Sequence, residues 1–490
     1  MNARAFCVLV PILTASCTLG PDYVRPEVPV PEHWREIATP EQDSLANTPW
    51  WELFQDPQLV ELIKIALAEN QDLKIAVERI EEARALYGFV HADMYPHVDA
   101  QASASVVQVS RTGIPPLPKP IDNQGSLYTL AGTAYWELDF FGRIRRASEA
   151  ELRQMYAVEE ARRGVVLTLV ADVARTYVEL RDLDRRLEIS RSTVESRVRY
   201  VELARDRFEG GLTSELDMRQ AEAELYRTTS QVHEFELAVV QKENELSALL
   251  GRNPGDLARG RTLAEVAVPD AVPAGLPSAL LERRPDVRQA EEQLASANAR
   301  IGEAKALLYP NISLTGAFGF ESSDLGDLLK SPAQSWSLSA NLLQPIFNAG
   351  QNQRRVEVAE SQQRQALYGY ERSVLLACRD VEDSLVGLRQ SGLLRASERQ
   401  RVAAERKVLE LAELRYRGGV AAYLEVLDAQ RSLFDAELSE ASTVRDQWVS
   451  LIQLYKALGG GWPQAPEEPP PEGTPAPEAP PSGAPTSGQG

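Results

Sequence analysis

The side chains that most often carry out chemistry are few in this chain and are not spaced for it. Cys378 stands alone within a helical pattern, and the glycine run 459–461 lacks the Lys and the Ser or Thr of a phosphate-binding loop. Adjacent carboxylates such as Glu81 and Glu82 are typical of solvated helix faces. The sequence therefore predicts no enzyme, no metal site and no bound cofactor. The four histidines form no ligand-spaced pair; they are His33, His91, His97 and His233.

The overall composition excludes one class of partner. The formal net charge is −19, which repels nucleic acid and anionic lipid. A hydrophobic fraction of 43% together with 25% charged residues favours long helices that are exposed to solvent on one face over a fold with a single large hydrophobic core. We therefore expect a helix-rich protein with no nucleic-acid partner.

The N-terminus has the pattern of an exported protein. Residues 5–16 form an apolar run of secretory length, too short to span a bilayer, which predicts a signal peptide over residues 1–16. The residues before Cys17 resemble the lipobox of bacterial lipoproteins, Leu13-Thr14-Ala15-Ser16-Cys17. This resemblance implies diacylglycerol and palmitoyl lipid on Cys17, and Thr18 implies sorting to the outer membrane. The alternative is an incidental cysteine near a cleavage site.

The chain also contains two copies of one half-protein. Residues 208–212 return as residues 416–420, and Arg207 and Leu216 match Arg415 and Leu424, all 208 positions apart. Upstream, Tyr95-Pro96 matches Tyr309-Pro310 at a spacing of 214, so one loop differs by six residues. A repeat of this length is a duplicated domain rather than a solenoid unit. The predicted repeats are 57–251 and 285–459, joined by an equatorial segment, 252–284.

Each repeat contains two segments that alternate between apolar and polar residues. This period of two predicts β-strands with one apolar face. Their length, about 9 to 11 residues, is what a tilted strand needs to cross a bilayer. The predicted strands are 98–109 and 127–139 in the first repeat, and 311–320 and 335–344 in the second.

Long helices follow each strand pair. No proline interrupts 142–208 or 350–416, and 67 residues at about 1.5 Å per residue span roughly 100 Å. Apolar residues at heptad spacing predict coiled-coil packing. Each long helix turns at a double glycine and returns as a shorter helix, 212–250 or 420–458. A helix over 57–94 opens the first repeat, and one starting at Pro285 opens the second.

The two ends of the mature chain lack a helical period. Residues 17–56, rich in Pro and Trp, predict an extended strap laid over the surface. Residues 460–490, rich in Pro and Glu, predict a disordered tail.

Four membrane-spanning strands cannot close a barrel, and an open sheet edge in lipid leaves backbone groups unpaired. The chain is therefore expected to oligomerise. Two copies would give eight strands filled by side chains, whereas three copies give twelve strands and a lumen. The predicted fold is mixed α and β: an outer-membrane β-barrel of four strands per protomer, twelve in a homotrimer, continuous with a long periplasmic α-helical coiled-coil barrel.

Several motifs together resemble the TolC-like outer membrane efflux factors, in the NodT-type lipoprotein branch. The resemblance covers Cys17 to Trp462. It implies a twelve-stranded barrel, a twelve-helix periplasmic tunnel, and docking to a periplasmic adaptor and an inner-membrane pump of the RND type. The motifs are Cys-Thr-Leu-Gly-Pro-Asp-Tyr at 17–23, Arg-Arg-Pro-Asp-Val at 283–287, Leu-Glu-Val-Leu-Asp-Ala-Gln-Arg at 424–431, and Tyr-Lys-Ala-Leu-Gly-Gly-Gly-Trp at 455–462.

The resemblance implies a periplasmic gate at Leu424 and Asp428. These residues are four apart and share a helix face, so a trimer would stack a ring of leucines near a ring of carboxylates. An apolar constriction blocks water, and an acidic ring repels anions. The alternative is that Leu424 packs in the helix seam and that Asp428 is merely solvated.

The resemblance also implies that the hairpin tips meet the adaptor. The alternative is that the tip glycines only end the helices, a position where glycine is favoured for its backbone conformation. This alternative does not explain why an arginine recurs in both copies. Ser214–Asp217 offers a capping box that the second copy lacks, which suggests that the second hairpin is the mobile one. The predicted tip residues are Arg207, Gly210, Gly211, Arg415, Gly418 and Gly419.

The combined hypothesis is a passive, gated outer-membrane exit duct of a tripartite efflux pump for drugs, other small toxic compounds or metal ions. One alternative is a type I protein-secretion duct, which shares the architecture. Another is a periplasmic coiled-coil scaffold held only by its lipid, with the alternating segments forming a small soluble sheet.

Overall fold

Two helices of 67 residues run the length of the molecule beside shorter helices, and a four-stranded sheet lies at one end. The structure is a computed structural model. It describes residues 18–35, 44–47, 54, 56–112, 118, 122–265, 268, 273–275 and 277–460. The predicted signal peptide, Cys17 and the tail after residue 460 lie outside the described residues.

The first repeat contains four helices and two strands. They are α1 (Pro57–Glu69), α2 (Gln71–Ala92), β1 (His97–Gln108), β2 (Gln124–Leu138), α3 (Arg143–Glu209) and α4 (Glu215–Leu249). The second repeat follows a one-turn helix and has the same order without a counterpart of α1. The one-turn helix is α5 (Leu280–Arg283), and the second repeat contains α6 (Pro285–Ala306), β3 (Asn311–Ser322), β4 (Gln334–Leu343), α7 (Gln351–Arg417) and α8 (Tyr423–Ala457). Short 3-10 turns occur at Leu45–Asn47, Pro277–Ala279, Leu325–Asp327 and Ser331–Ala333.

From α2 onward the two repeats have the same order of elements, and their helices have the same lengths. Helices α3 and α7 have 67 residues each, α4 and α8 have 35 each, and α2 and α6 have 22 each. The long and return helices begin 208 residues apart, and α2 and α6 begin 214 apart. We call α3–α4 the first hairpin and α7–α8 the second hairpin. Their boundaries differ from the predicted ones by one to three residues.

The predicted helix over 57–94 is wrong, because two helices meet at Asn70. The Asn70 side chain accepts a hydrogen bond from the Leu73 amide at 3.0 Å, which caps α2. Its amide nitrogen donates to the Leu249 carbonyl at 2.8 Å, at the end of α4. In the second repeat Arg284 donates to the equivalent carbonyl, that of Ala457, at 2.9 Å. Helices α2 and α4, and likewise α6 and α8, therefore meet end to end.

The sheet is antiparallel throughout, in the order β1-β2-β3-β4. Its register aligns the alternating apolar residues of all four strands on one face, since directly paired residues point the same way. For example, Ala134 pairs with Gly316, and Gly316 pairs with Leu338. Large side chains on this face are exposed, including Val98, Phe318 and Trp336. Within the described chain, β1 and β4 form the two edges of the sheet.

The main core lies at the middle of the molecule, where both repeats meet. It contains the buried side chains Tyr177, Tyr370 and Trp448. Residues 18–35 cross this region without helix or strand, as expected for the strap. The strap is fixed at Asp22, which pairs with the buried Arg146 at 2.7 Å, and at Trp34, whose ring nitrogen donates to the Gly275 carbonyl at 2.9 Å.

Among the described residues, none of the helices combines the length and the apolar character that crossing a membrane requires.

Candidate functional site at the hairpin tips

Both hairpins turn through the same backbone structure. The Leu212 amide donates to the Arg207 carbonyl at 2.8 Å, and the Val420 amide donates to the Arg415 carbonyl at 3.0 Å. This bond closes the helix end in a Schellman-type turn, which needs a residue with positive φ. Gly211 and Gly419 supply it, with φ of 71° and 73°. No atom of the described residues would lie within 4 Å of a Cβ on either glycine, so the backbone conformation accounts for both glycines.

The repeated arginine, in contrast, has different partners in the two hairpins. Arg207 lies over the ring of Tyr416 in the second hairpin, with its guanidinium carbon 4.6 Å from the ring centroid. Its repeat equivalent, Arg415, forms an exposed ion pair with Glu425 of its own hairpin at 3.2 Å. Arg207 therefore contacts the other hairpin, whereas Arg415 stabilises the turn of its own hairpin.

A buried aromatic pair sits beneath Arg207. Tyr416 and Tyr423 are 3% and 1% exposed, and their ring centroids are 5.7 Å apart. They belong to an apolar cluster to which both hairpins contribute, including Val201 and Met218 from the first. Burial raises the pKa of Tyr423 to about 12. Neither hydroxyl has a hydrogen-bond partner among the described residues, so the two rings pack through apolar contacts.

Farther from the tip, a buried carboxylate joins the hairpins. Glu224 of α4 pairs with Arg227 at 2.7 Å and with Arg431 of α8 at 2.8 Å. Arg197 of α3 lies 3.4 Å from the same carboxylate and hydrogen-bonds Gln430 of α8. Burial acts to raise the pKa of Glu224, but the hydrogen bonds from Arg227 and Arg431 outweigh it and lower the pKa. The folded state therefore favours the ionised form.

A second buried carboxylate lies nearer the middle of the molecule. Asp182 of α3 pairs with Arg186 at 2.9 Å and with Arg445 of α8 at 3.2 Å. Here burial prevails over the two arginines and raises the pKa of Asp182. Asp182 and Glu224 thus bridge the same two repeats but differ in which protonation state the fold favours.

The two predicted gate residues lie together on an exposed face at the start of α8. Leu424 is 53% exposed and Asp428 is exposed. Tyr423, Val426 and Leu427 occupy the buried face instead. Within the described chain Leu424 therefore lies outside the packed seam, and Asp428 is exposed as the alternative expects. Leu216, the repeat equivalent of Leu424, is also exposed, at 63%.

The predicted capping box is wrong. The Ser214 side chain makes no hydrogen bond to the start of α4, and only its carbonyl accepts from the Asp217 amide, at 3.2 Å. The first residue of each return helix is thus uncapped by a side chain in both hairpins. The suggested difference in mobility between the hairpins loses its basis.

Sequence reasoning missed Glu224, Arg431 and Tyr416 as contacts between hairpins. A signal for Glu224 was present, because it falls among the repeated apolar positions Ala221 and Leu225, where a charge must find a partner. Tyr416 offered no such signal, since its equivalent Phe208 is also aromatic. In the part of the chain that the structure describes, no group of three His, Cys, Asp or Glu side chains is arranged to hold a metal ion.

Comparison with known proteins identifies the class. The model of the family described as "Outer membrane efflux protein" matches residues 62–252 and 276–460. The chain is 38% identical over 475 residues to the solvent efflux pump outer membrane protein SrpC of Pseudomonas putida, covering 94% of this chain and 99% of SrpC. It is 35% identical over 477 residues to the cation efflux system protein CusC of Escherichia coli O6:H1, with the same coverage of 94% and 99%.

A solved structure of the outer-membrane channel OprN has the same fold. It superimposes with a TM-score of 0.84 at 31% identity, covering 91% of this chain and 100% of the OprN chain. The chain belongs to the outer membrane efflux protein family. The predicted resemblance to TolC-like efflux factors, the helix-rich mixed fold and the role as the outer-membrane component of an efflux pump are thereby confirmed.

Proposed function

We propose that three copies of the chain form a gated duct through which an efflux pump releases its substrates across the outer membrane. The observation that carries this proposal is the sheet: four strands share one exposed apolar face and leave an edge at each side. Such a sheet suits lipid only if its edges pair with other copies. Three copies supply twelve strands, enough for a lumen.

The helices extend this duct into the periplasm. At about 1.5 Å per residue, a 67-residue helix is roughly 100 Å long. Leu424 and Asp428, exposed on one face near the tip, form the gate, as an apolar ring next to an acidic ring. The chain itself carries out no chemical reaction, and the energy comes from an inner-membrane pump of the RND type.

The tips carry the surface for a periplasmic adaptor. Each has an exposed apolar side chain directly after its double glycine, Leu212 in the first hairpin and Val420 in the second. These two residues occupy equivalent positions, so a trimer would present the same motif six times. Arg207 and the four tip glycines shape this surface, and Arg415 contributes its exposed charge.

The substrates are small toxic compounds, drugs or metal ions. The relatives are named for solvents in one case and for cations in the other, so the family serves both chemistries.

The duct also carries a lipid anchor on Cys17. The first described residue, Thr18, lies against Gly142, between β2 and α3, and the Leu19 amide donates to the Phe141 carbonyl at 3.2 Å. A lipid on the preceding residue would therefore emerge at the end of the sheet that adjoins the helices. Diacylglycerol and palmitoyl chains there would enter the inner leaflet of the outer membrane.

Electron microscopy of the detergent-extracted protein tests the duct. Three-fold particles with a membrane-sized cap and a hollow stalk about 100 Å long are expected. Solid rods or monomers would overturn the proposal and favour the lipid-anchored scaffold.

A second check replaces the lipoprotein signal with an ordinary signal peptide. The unacylated duct is expected to stay in the membrane after an alkaline wash, whereas a scaffold would be released.

A further inference from the structure

A small cavity of about 160 Å³ lies where α3 meets α7 and α8. Pockets for drug-sized ligands are about 300 Å³ or larger, so this cavity suits a small molecule or an ion. Helix α3 lines it with Ser192, Ser196 and Arg197, and α8 lines it with Gln430 and Phe434. Arg197 and Phe434 are each only 2% exposed. The cavity therefore places a buried cation beside apolar packing between the two hairpins.

The guanidinium of Arg197 has one edge without a partner. Its Nη1 donates to the Gln430 side chain, whereas Nε and Nη2 are buried and have no hydrogen-bond partner among the described residues. Arginine uses the Nε and Nη2 edge to bind an anion through two parallel hydrogen bonds. Arg143 does so with Glu137, at 2.8 and 2.9 Å. Because buried donors are rarely left unpaired, the same edge of Arg197 calls for an acceptor.

The carboxylate of Glu224 does not provide this acceptor. Its Oε1 lies 3.4 Å from Nη2 of Arg197 but is hydrogen-bonded to Nε and Nη2 of Arg227 instead. Its Oε2 accepts from Arg431 at 2.8 Å. Three arginine charges thus meet one carboxylate, in a chain whose formal net charge is −19. Burial lowers the pKa of Arg197, and the attraction of Glu224 offsets this effect only in part.

Two serine hydroxyls of the same cavity are also without partners. Ser192 and Ser196 are four residues apart and share a face of α3. Within the described chain neither makes a hydrogen bond, whereas the hydroxyls of Ser190 and Thr193 each donate to a helix carbonyl at 2.8 Å. Hydroxyl groups that are not bonded to the helix are able to donate to an anion.

We propose that this cavity binds an inorganic anion of halide size, such as chloride, on the Nε and Nη2 edge of Arg197. The Ser192 and Ser196 hydroxyls supply further donors. Glu437, which also lines the cavity, is paired with Arg406 at 2.9 Å and so opposes the anion less. Because Gln430 of α8 accepts from the same guanidinium, the bound anion stabilises the packing of the first hairpin against the second. The site does not depend on the proposed duct.

The second repeat has no equivalent of this site. The position of Arg197 is occupied there by Glu405, and that of Ser196 by Ala404. A carboxylate in place of the guanidinium would repel an anion. The expected stoichiometry is therefore one anion for each chain.

Thermal unfolding of the full-length protein in detergent tests the site. Sodium chloride is titrated against sodium gluconate at constant ionic strength, since gluconate is far larger than a halide. A saturable rise in the melting temperature is expected, because an ion that binds only the folded state stabilises it by mass action. Arg197→Lys keeps the charge but lacks the two-nitrogen edge, and it should lower the affinity for chloride about tenfold or more. The same rise with the same midpoint in this variant would overturn the proposal.

A matched pair of serine variants leaves Arg197 in place and tests the site even if Arg197→Lys does not fold. Ser196→Ala removes a hydroxyl that lines the cavity, and it is expected to weaken chloride binding about fivefold. Ser190→Ala is the control, because that hydroxyl donates to the Arg186 carbonyl and does not line the cavity. It is expected to bind chloride as the unaltered protein does. Equal affinities in the two serine variants would contradict the proposed site.

Bromide allows the ion to be located directly. Crystals of the full-length protein grown in sodium bromide are expected to show one anomalous peak for each chain, in contact with Nε and Nη2 of Arg197. A water molecule at that position, which gives no anomalous peak, would overturn the site. A peak without any effect of chloride on the melting temperature would mark an adventitious ion only, and would overturn it as well. A chloride effect in a protein that is monomeric would support the site while refuting the duct.

Discussion

The guanidinium carbon of Arg207 lies 4.6 Å from the centroid of the Tyr416 ring, which places a cation of the first hairpin on an aromatic face of the second. The equivalent arginine, Arg415, instead pairs with Glu425 within its own hairpin. The two hairpins turn through equivalent hydrogen bonds, yet only Arg207 contacts the other hairpin. This difference gives a matched pair of substitutions.

Arg207→Ala is expected to weaken the pairing of the hairpins by about 1 kcal/mol, since a partly desolvated cation–π contact is lost. Arg415→Ala removes an exposed ion pair and is expected to change little. Hydrogen exchange of the first turns of α8 measures the difference. Equal protection in the two variants would refute the role of Arg207.

Glu224→Gln is expected to destabilise the paired hairpins by about 3 kcal/mol, because it leaves the buried guanidinium of Arg197 without a carboxylate. Asp182→Asn is expected to cost less, about 1 kcal/mol, since the fold already disfavours the ionised form of Asp182. Denaturant unfolding of the two variants compares them. A larger loss for Asp182→Asn would contradict this ranking.

The two carboxylates also predict opposite dependence on pH. Because the pKa of Glu224 is lowered, its contribution to the free energy of unfolding is complete above the ordinary pKa of a glutamate, about 4. This contribution is lost as the pH falls through the lowered pKa. The raised pKa of Asp182 means that its contribution is complete below the ordinary range and is lost as the pH rises through the raised value. On lowering the pH, the free energy of unfolding should therefore fall less in Glu224→Gln than in the unaltered protein. An unchanged acid limb would show that Glu224 is not the group responsible.

Leu424→Ala combined with Asp428→Ala is expected to raise single-channel conductance about twofold or more, since both rings of the proposed gate are removed. Leu216→Ala combined with Gln220→Ala changes the equivalent positions of the first hairpin and is the control. It is expected to leave conductance close to that of the unaltered protein. Recordings in planar bilayers decide between the hairpins, and an unaltered conductance in the Leu424 variant would remove the gate assignment.

Gly251→Ala is expected to be more harmful than Gly211→Ala, although φ is 71° at both. A Cβ on Gly251 would lie 2.3 Å from the Glu69 carbonyl oxygen, whereas Gly211 faces open space. Backbone strain alone costs about 1 to 2 kcal/mol, and the collision adds about 1 to 3 kcal/mol. Thermal unfolding of both variants measures this gap.

The long helices and strands could be predicted to within a few residues, because proline-free heptads and alternating apolar residues act locally along the chain. The break at Asn70 was missed, since asparagine is also found within helices. The repeat held the missing signal: position 70 corresponds to Arg284, and the next residue there is Pro285, which begins a helix. Mapping the proline back onto Gln71 would have located the boundary.

The contacts between hairpins were harder to predict, because they break the internal symmetry. Glu224 corresponds to Ser432 in the second copy, and Arg431 corresponds to Ala223 in the first. No pattern along one helix shows that such unmatched residues face each other, since this depends on how α4 and α8 are rotated. Whether Leu424 is exposed or buried depends on the same rotation, and the structure shows that Leu424 is exposed while its neighbour Tyr423 is buried.

The joints at Asn70 and Arg284 divide one wall of each repeat, whereas α3 and α7 run through uninterrupted. A continuous helix resists bending, but two helices joined by a side-chain hydrogen bond can pivot where they meet. Helix α8 has 35 residues, and at about 1.5 Å each it is a lever about 52 Å long. A rotation of about 5° at its joint would sweep the far end through about 5 Å by this length, enough to displace a side chain from a constriction. A small rotation at the joint would thus be magnified at the far end of α8, while the unbroken helices α3 and α7 resist bending.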